Sequence, residues 1–167
     1  MTDPTAIPDT PAAITTTTSV LAFFAADHAA VAPDGKIYVN GGGISLLRFP
    51  AFPATLPTIG IAAILELPFH DLMRDHTIRV GMVGPGDQEL SVRVEAQFRS
   101  APTPEAQFGE SSLVPFAVTV ANVEFPAPGR YALVLWFDNV EKKRYGLRAI
   151  QTPIVASAGG SPSAMDA

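Results

Sequence analysis

Three histidines supply every imidazole in the chain, and two of them sit within one short segment. That segment, "FHDLMRDH", places a carboxylate beside each: His70 next to Asp71, and His76 next to Asp75. The third, His28, follows Asp27. Imidazole nitrogens and carboxylate oxygens are the ligands zinc and other divalent cations take. If folding brings His28 to His70 and His76, the trio has the donor set of a metal-dependent hydrolase. The spacing is not HExxH, and the plainer reading is a polar loop in which Asp75 caps its neighbour. Asp27 and His28 alone form an acid–imidazole pair. No GxSxG elbow supplies a nucleophile for them to activate, so a strand end satisfying backbone groups explains them as well.

Other acidic and glycine-rich positions have local explanations. Asp34, Asp87, Glu89 and Asp138 fall in turn segments, and carboxylates at one end of a C2-type sandwich hold calcium. Asp in a turn also accepts backbone N–H groups, and no DxD spacing occurs. "GGG" at Gly41–Gly43 follows a strand, but neither a helix nor GK[ST] follows it. A bulge or a close crossing of chains fits better than a phosphate loop. Arg93, Glu95, Arg130, Lys142, Lys143 and Arg144 read as solvated surface charges. No residue is assigned as catalytic or as a metal or cofactor ligand, and no cofactor is implied. The reading leans against an enzyme.

Composition narrows the classes further. The formal net charge is −5 in 167 residues, and "EKKR" at Glu141–Arg144 is the one basic cluster. Nucleic-acid binding draws on a basic footprint, so it is not expected. With no cysteine, disulfides and thiolate chemistry are excluded. Hydrophobic residues make up 47% and charged residues only 16%, against about 25% in an average soluble domain. Part of the surface is therefore either unusually neutral or covered by a partner. The first basic residue is Lys36, so no signal peptide is read, and the apolar runs are short and interrupted. The expectation is a cytoplasmic protein without a membrane partner.

The elements that must position these residues are strands. Prolines recur too often for long helices, from Pro50 to Pro153. Between them lie strand-like runs at Val20–Ala26, Ile37–Asn40, Ile44–Phe49, Thr58–Leu67, His76–Val83, Leu90–Phe98, Leu113–Val123, Arg130–Asp138 and Tyr145–Ile150. Leu90–Phe98 alternates cleanly, with Val92, Val94, Ala96 and Phe98 facing inward. "APDGK" is a turn, "LPFHDLMRD" a short helix or bulging loop, Glu105–Phe108 one helical turn, and "DNVEKKR" a turn or loop. About eight strands with turn signals every 8–12 residues indicate an all-β fold. The expected form is a two-sheet antiparallel β-sandwich, Ig-like or C2-like, with a small β-barrel as the alternative. Residues 1–18 and 156–167 read as flexible Pro/Thr-rich and Gly/Ser-rich tails around a domain at 19–155.

Three strands are apolar on both faces. Tyr131, Leu133, Leu135 and Phe137 make one face of the Arg130–Asp138 strand, and Ala132, Val134 and Trp136 the other. Val20–Ala26 and Ile59–Leu65 share the pattern. A sandwich strand buries one face, so the second is covered by a tail, by the Arg99–Ser112 loop or by a partner. Three such strands favour self-association into a homo-oligomer, with an unidentified protein as the other partner. An apolar cavity between the sheets would instead make the protein a carrier of a small apolar ligand.

The order of motifs resembles a family of small, uncharacterised bacterial β-sandwich proteins, a domain of unknown function. An Ala/Asp-rich first strand, a "DGK" turn, a "G-G" segment and an apolar strand ending in "FP" run from Phe23 to Pro53. "HTIRVGMVGPGDQE" follows, and "FPxPGxYxxxLxxD" closes the series at Phe125–Asp138. The long Thr-rich start and the Ala-rich first strand depart from the family pattern. The resemblance implies a fold and no activity, so function is unknown. The expectation is a non-enzymatic interaction or structural module that self-associates through an apolar sheet face.

Overall fold

Alternating apolar and polar residues commit most of the chain to strands, and the turns between them decide which strands meet. The computed structural model describes residues 17–152 except 103 and 105. Residues 1–16 of the tail read at 1–18, the tail read at 156–167, the strand extension read to Val155, and Glu105 lie outside the described residues. The strands, in chain order, are β1 (Ser19–Ala26), β2 (His28–Val31), β3 (Ile37–Asn40), β4 (Leu46–Phe49), β5 (Ala54–Leu67), β6 (Asp75–Val83), β7 (Glu89–Arg99), β8 (Ser112–Phe125), β9 (Gly129–Phe137) and β10 (Val140–Gln151). Short 3-10 turns lie at Phe69–Asp71 and Pro85–Asp87.

These strands form three sheets, which overturns the two-sheet, eight-strand antiparallel sandwich and its small-barrel alternative. A three-stranded sheet runs β1-β5-β8, a five-stranded sheet β4-β10-β9-β6-β7, and β2 and β3 make a separate ribbon. The sheets are not purely antiparallel either, because β4 lies parallel to β10. The ribbon escaped the sequence reading because β2 is four residues of "HAAV" with no alternation to mark it.

The core lies between the two larger sheets. Ile59, Ile61, Ala63 and Leu65 of β5 meet Ile78, Val80 and Met82 of β6 and Leu133 and Leu135 of β9. Phe49, Phe125 and Tyr131 close one end, Phe125 lying 5.3 Å from Phe49 and 5.0 Å from Tyr131 between ring centres. Phe125 and the Ile, Leu, Met and Val side chains of β5, β6 and β9 named above are less than 2% exposed. The carrier reading needs a cavity in this space, and these side chains occupy it.

Turn chemistry sets the register. Asp138 and Asn139 both adopt positive φ, 48° and 65°, as a two-residue hairpin turn requires. Val140 therefore pairs directly with Phe137, and "VEKKR" is strand rather than the loop read from its charges. The Tyr131 hydroxyl donates to the Ala127 carbonyl four residues upstream, clamping the Pro-Gly entry into β9. That contact is the physical reason for the PGxY spacing. At "APDGK", Asp34 accepts the Lys36 amide at 3.2 Å and Gly35 takes φ 81°, as its turn reading requires.

Candidate functional site

The outer faces of the two sheets account for the doubly apolar strands. On the three-stranded sheet, register puts Ala22, Phe24 and Ala26 beside Gly60, Ala62 and Ile64, with Thr119, Ala117 and Pro115 next in line. Most of these side chains are small. The β2–β3 ribbon lies directly on the Gly60–Ala62 end, so Ala62 is fully buried. A Cβ on Gly60 would stand 2.6 Å from the Ala29 nitrogen and the His28 carbonyl carbon. Thr119 anchors the ribbon, its hydroxyl accepting from the Ala29 amide and donating to the Ala29 carbonyl, both at 3.0 Å. His28 Nδ1 lies 3.0 Å from the same oxygen. With the one hydroxyl proton given to Ala29, Nδ1 must donate.

The triple glycine closes this arrangement. Gly43 and Ile44 both donate to the Ala25 carbonyl, at 2.8 and 3.2 Å, drawing the chain back along β1. Gly41 takes φ 63°, with the Asp27 carboxylate where its Cβ would be. The segment is a close crossing of chains, as its sequence indicated.

On the five-stranded sheet the cover is made of side chains. Trp136 lies on the outer face with the Arg79 guanidinium 3.9 Å from its ring centre. Gly81 makes room, since a Cβ there would be 3.3 Å from the indole. Val134, between them, is fully buried without any partner chain. Around this stack, Arg144 bridges Asp87 and Glu141, both at 2.7 Å, and Arg93 meets Glu95 at 3.0 Å. Among the described residues, the cover on this face is made of arginine stems.

The histidines do not converge. His28 is on the ribbon at Thr119, while His70 and His76 lie beyond the far end of β5, roughly 20 Å along that strand. His76 is buried, at 4% exposure. Its Nδ1 faces Asp138 at 2.8 Å and its Nε2 the Asp71 carbonyl at 2.7 Å. Both partners accept hydrogen bonds, so the charged ring donates from both nitrogens, and neither is turned to an open site. Burial pulls the His76 pKa down. The Asp71 carbonyl, the Asp138 hydrogen bond and the charges of Asp138 and Asp71 outweigh it and hold the pKa above 6.5. Burial likewise raises Asp138, but the Thr77 amide and His76 carry it below 3.8. His70 is exposed and 3.7 Å from the Asp71 carboxylate. Among the described residues no group of three His, Asp or Glu side chains is placed to hold a metal ion. The metal-dependent hydrolase using His28, His70 and His76 therefore has no site.

The remaining candidate positions have local partners as well. Asp34 pairs with Lys36, Asp87 with Arg144, Glu89 with Arg79, and Asp138 with His76 and Thr77. The His76 cluster is a joint: it ties β6, the Phe69–Asp71 turn and the β9–β10 turn together. Thr18, which is buried, adds a hydrogen bond to Asp71 at 3.1 Å. The sequence did not single out Thr119, although it is the one hydroxyl in the apolar run "PFAVTVA". Nor did it pair Arg79 with Trp136, which are far apart in the chain.

Exposed apolar side chains are the remaining feature. Leu21, the extra residue at a bulge in β1, is 57% exposed, and Leu113 on β8 is 60% exposed. Leu113 stands opposite Glu66, and Pro115 opposite Ile64, on the half of the outer face the ribbon leaves open. Phe108, in the loop before β8, is 94% exposed and rests one side on Phe69. None of the described helices is long and apolar enough to cross a membrane. No curated protein matches the chain. The model of one family, described as a family of unknown function (DUF6941), matches residues 21–150, so the β-rich domain built around these two covered faces belongs to that family.

Proposed function

We propose that the protein is a non-enzymatic interaction module that self-associates through the open half of the three-stranded sheet. One observation carries this reading: on the half of the outer face the ribbon leaves open, Ile64 pairs with Pro115, Leu113 is exposed next along β8 opposite Glu66, and Leu21 is exposed at the β1 bulge. The Trp136 face, by contrast, is covered within the chain. Apolar surface of this kind is a common interface between identical subunits. The low share of charged residues agrees with it, and the reading is of a cytoplasmic protein.

Light scattering across a wide concentration range tests the proposal. A dimer or larger species is expected, and Leu113→Asp should convert it to monomer with thermal stability unchanged. A monomer mass at all concentrations would end the self-association reading. Dissociation by Trp136→Glu but not by Leu113→Asp would move the interface to the other sheet.

A further inference from the structure

Each larger sheet ends in a strand paired on one side only, β7 in one and β8 in the other. β7 and β8 approach one another along a seam and are not hydrogen-bonded to each other. At one end the seam opens into a groove of about 440 Å³. Pro53, Ala54, Leu90 and Pro126 form its apolar walls, and Glu89 and Glu124 bring carboxylates to it. Glu89 has only a long contact to Arg79, at 3.7 Å. No cation among the described residues is within ion-pair distance of Glu124.

The geometry points to a docking groove for an extended peptide segment of another protein, carrying a Lys or Arg flanked by apolar residues. Unpaired edge strands accept an added strand through main-chain hydrogen bonds, and side pockets then read its side chains. The groove's volume is that of a small-ligand pocket, enough for an arginine side chain and an apolar neighbour. Its chemistry suits a cation on an aliphatic stem, with apolar walls for the stem and carboxylates for the head.

The segments outside the described residues do not provide this occupant. Residues 1–16 and 153–167 hold aspartates and no Lys or Arg. Its one basic run, Lys142–Arg144, lies in β10 against β9, with Lys142 held by the Thr18 carbonyl and Arg144 by Asp87 and Glu141. The inference is independent of self-association through Leu113, which lies near the opposite end of β8.

The test uses the full chain with labelled Ala and Leu methyl groups and the blocked tripeptide acetyl-Leu-Arg-Leu-amide. The Leu90 and Ala54 methyl signals should shift and saturate, weakening as salt is raised. Glu124→Gln should weaken binding by about tenfold, the loss of one charge-assisted contact. Methylating the peptide's backbone nitrogens should abolish it. Unmoved Leu90 and Ala54 signals at millimolar peptide would overturn the proposal. So would equal binding of acetyl-Leu-Glu-Leu-amide, or unchanged affinity in the Glu124→Gln variant.

Discussion

The outer faces of the two large sheets solve one problem by opposite means. Both contain strands that are apolar on the side away from the core. On the three-stranded sheet the covered end of that side is mostly small, with Ala26, Gly60 and Ala62 beside Phe24, and a backbone ribbon lies on it with Ala29 pressed onto Gly60. On the five-stranded sheet it holds Val134 and Trp136, and a single cationic side chain, Arg79, lies across the indole. Small residues admit main chain, whose N–H and C=O groups then need a polar partner, supplied by Thr119. The Trp136 indole presents a π face that a guanidinium covers while remaining hydrated. The size of the outward residues thus selects the kind of cover.

The sharpest way to break the comparison is to enlarge Gly60. Gly60→Val drives a side chain into the His28–Ala29 backbone, which is rigid. It should cost about 3 kcal/mol or more and expose the Ala29 amide to hydrogen exchange. A variant that keeps wild-type protection at Ala29 would show that the ribbon adapts.

The next largest effect is expected at the joint below the five-stranded sheet. His76→Leu removes two hydrogen bonds made by a charged ring and should cost about 2–3 kcal/mol at pH 6. The pH dependence follows from the same contacts. The His76 pKa is raised above 6.5, so its contribution is complete below that value and is lost as pH rises through the raised folded value. The Asp138 pKa lies below 3.8, so its contribution is complete above that value and is lost as pH falls through the depressed one. Stability from this pair is therefore greatest between about pH 4 and 6.5. Urea midpoints measured from pH 5 to 9 should decline for the native chain, and the decline should flatten in His76→Leu. Parallel declines would assign the effect to other groups.

Thr119→Val keeps the shape of the anchor and deletes its hydroxyl. It leaves the Ala29 N–H and C=O without their partner, at a cost of about 1–2 kcal/mol. Exchange should rise at Ala29 and stay unchanged in β9, which separates the ribbon from the sheet beneath it. The smallest effect belongs to the side-chain cover: Arg79→Gln should lower stability by about 0.5–1 kcal/mol and shift Trp136 emission to the red as water reaches the ring. A larger loss than that of Thr119→Val would reverse the order of the two covers.

Much of the fold was legible because its determinants are local. Period-two alternation marked β6 and β7, the Pro-Gly-x-Tyr spacing marked the entry to β9, and Pro33 to Gly35 marked the turn that became the ribbon's tip. Two apolar faces on one strand also showed that something must cover the second. The site reading was weaker. His70 and His76 lie close in sequence beside carboxylates, yet one is exposed and the other has both nitrogens committed, and no spacing distinguishes those outcomes.

By itself the sequence determined the strand content, the turn positions and the demand for cover, because these depend on neighbouring residues and side-chain period. Tertiary structure alone decided how the demand was met. Whether β2 and β3 join a large sheet or leave it as a ribbon depends on Gly60 and Thr119, 31 and 90 residues from Ala29. Whether Trp136 faces solvent or a guanidinium depends on Arg79, brought beside it by the β6–β9 register. Contacts between residues so far apart leave no periodic trace in the chain, since each depends on how whole strands are stacked.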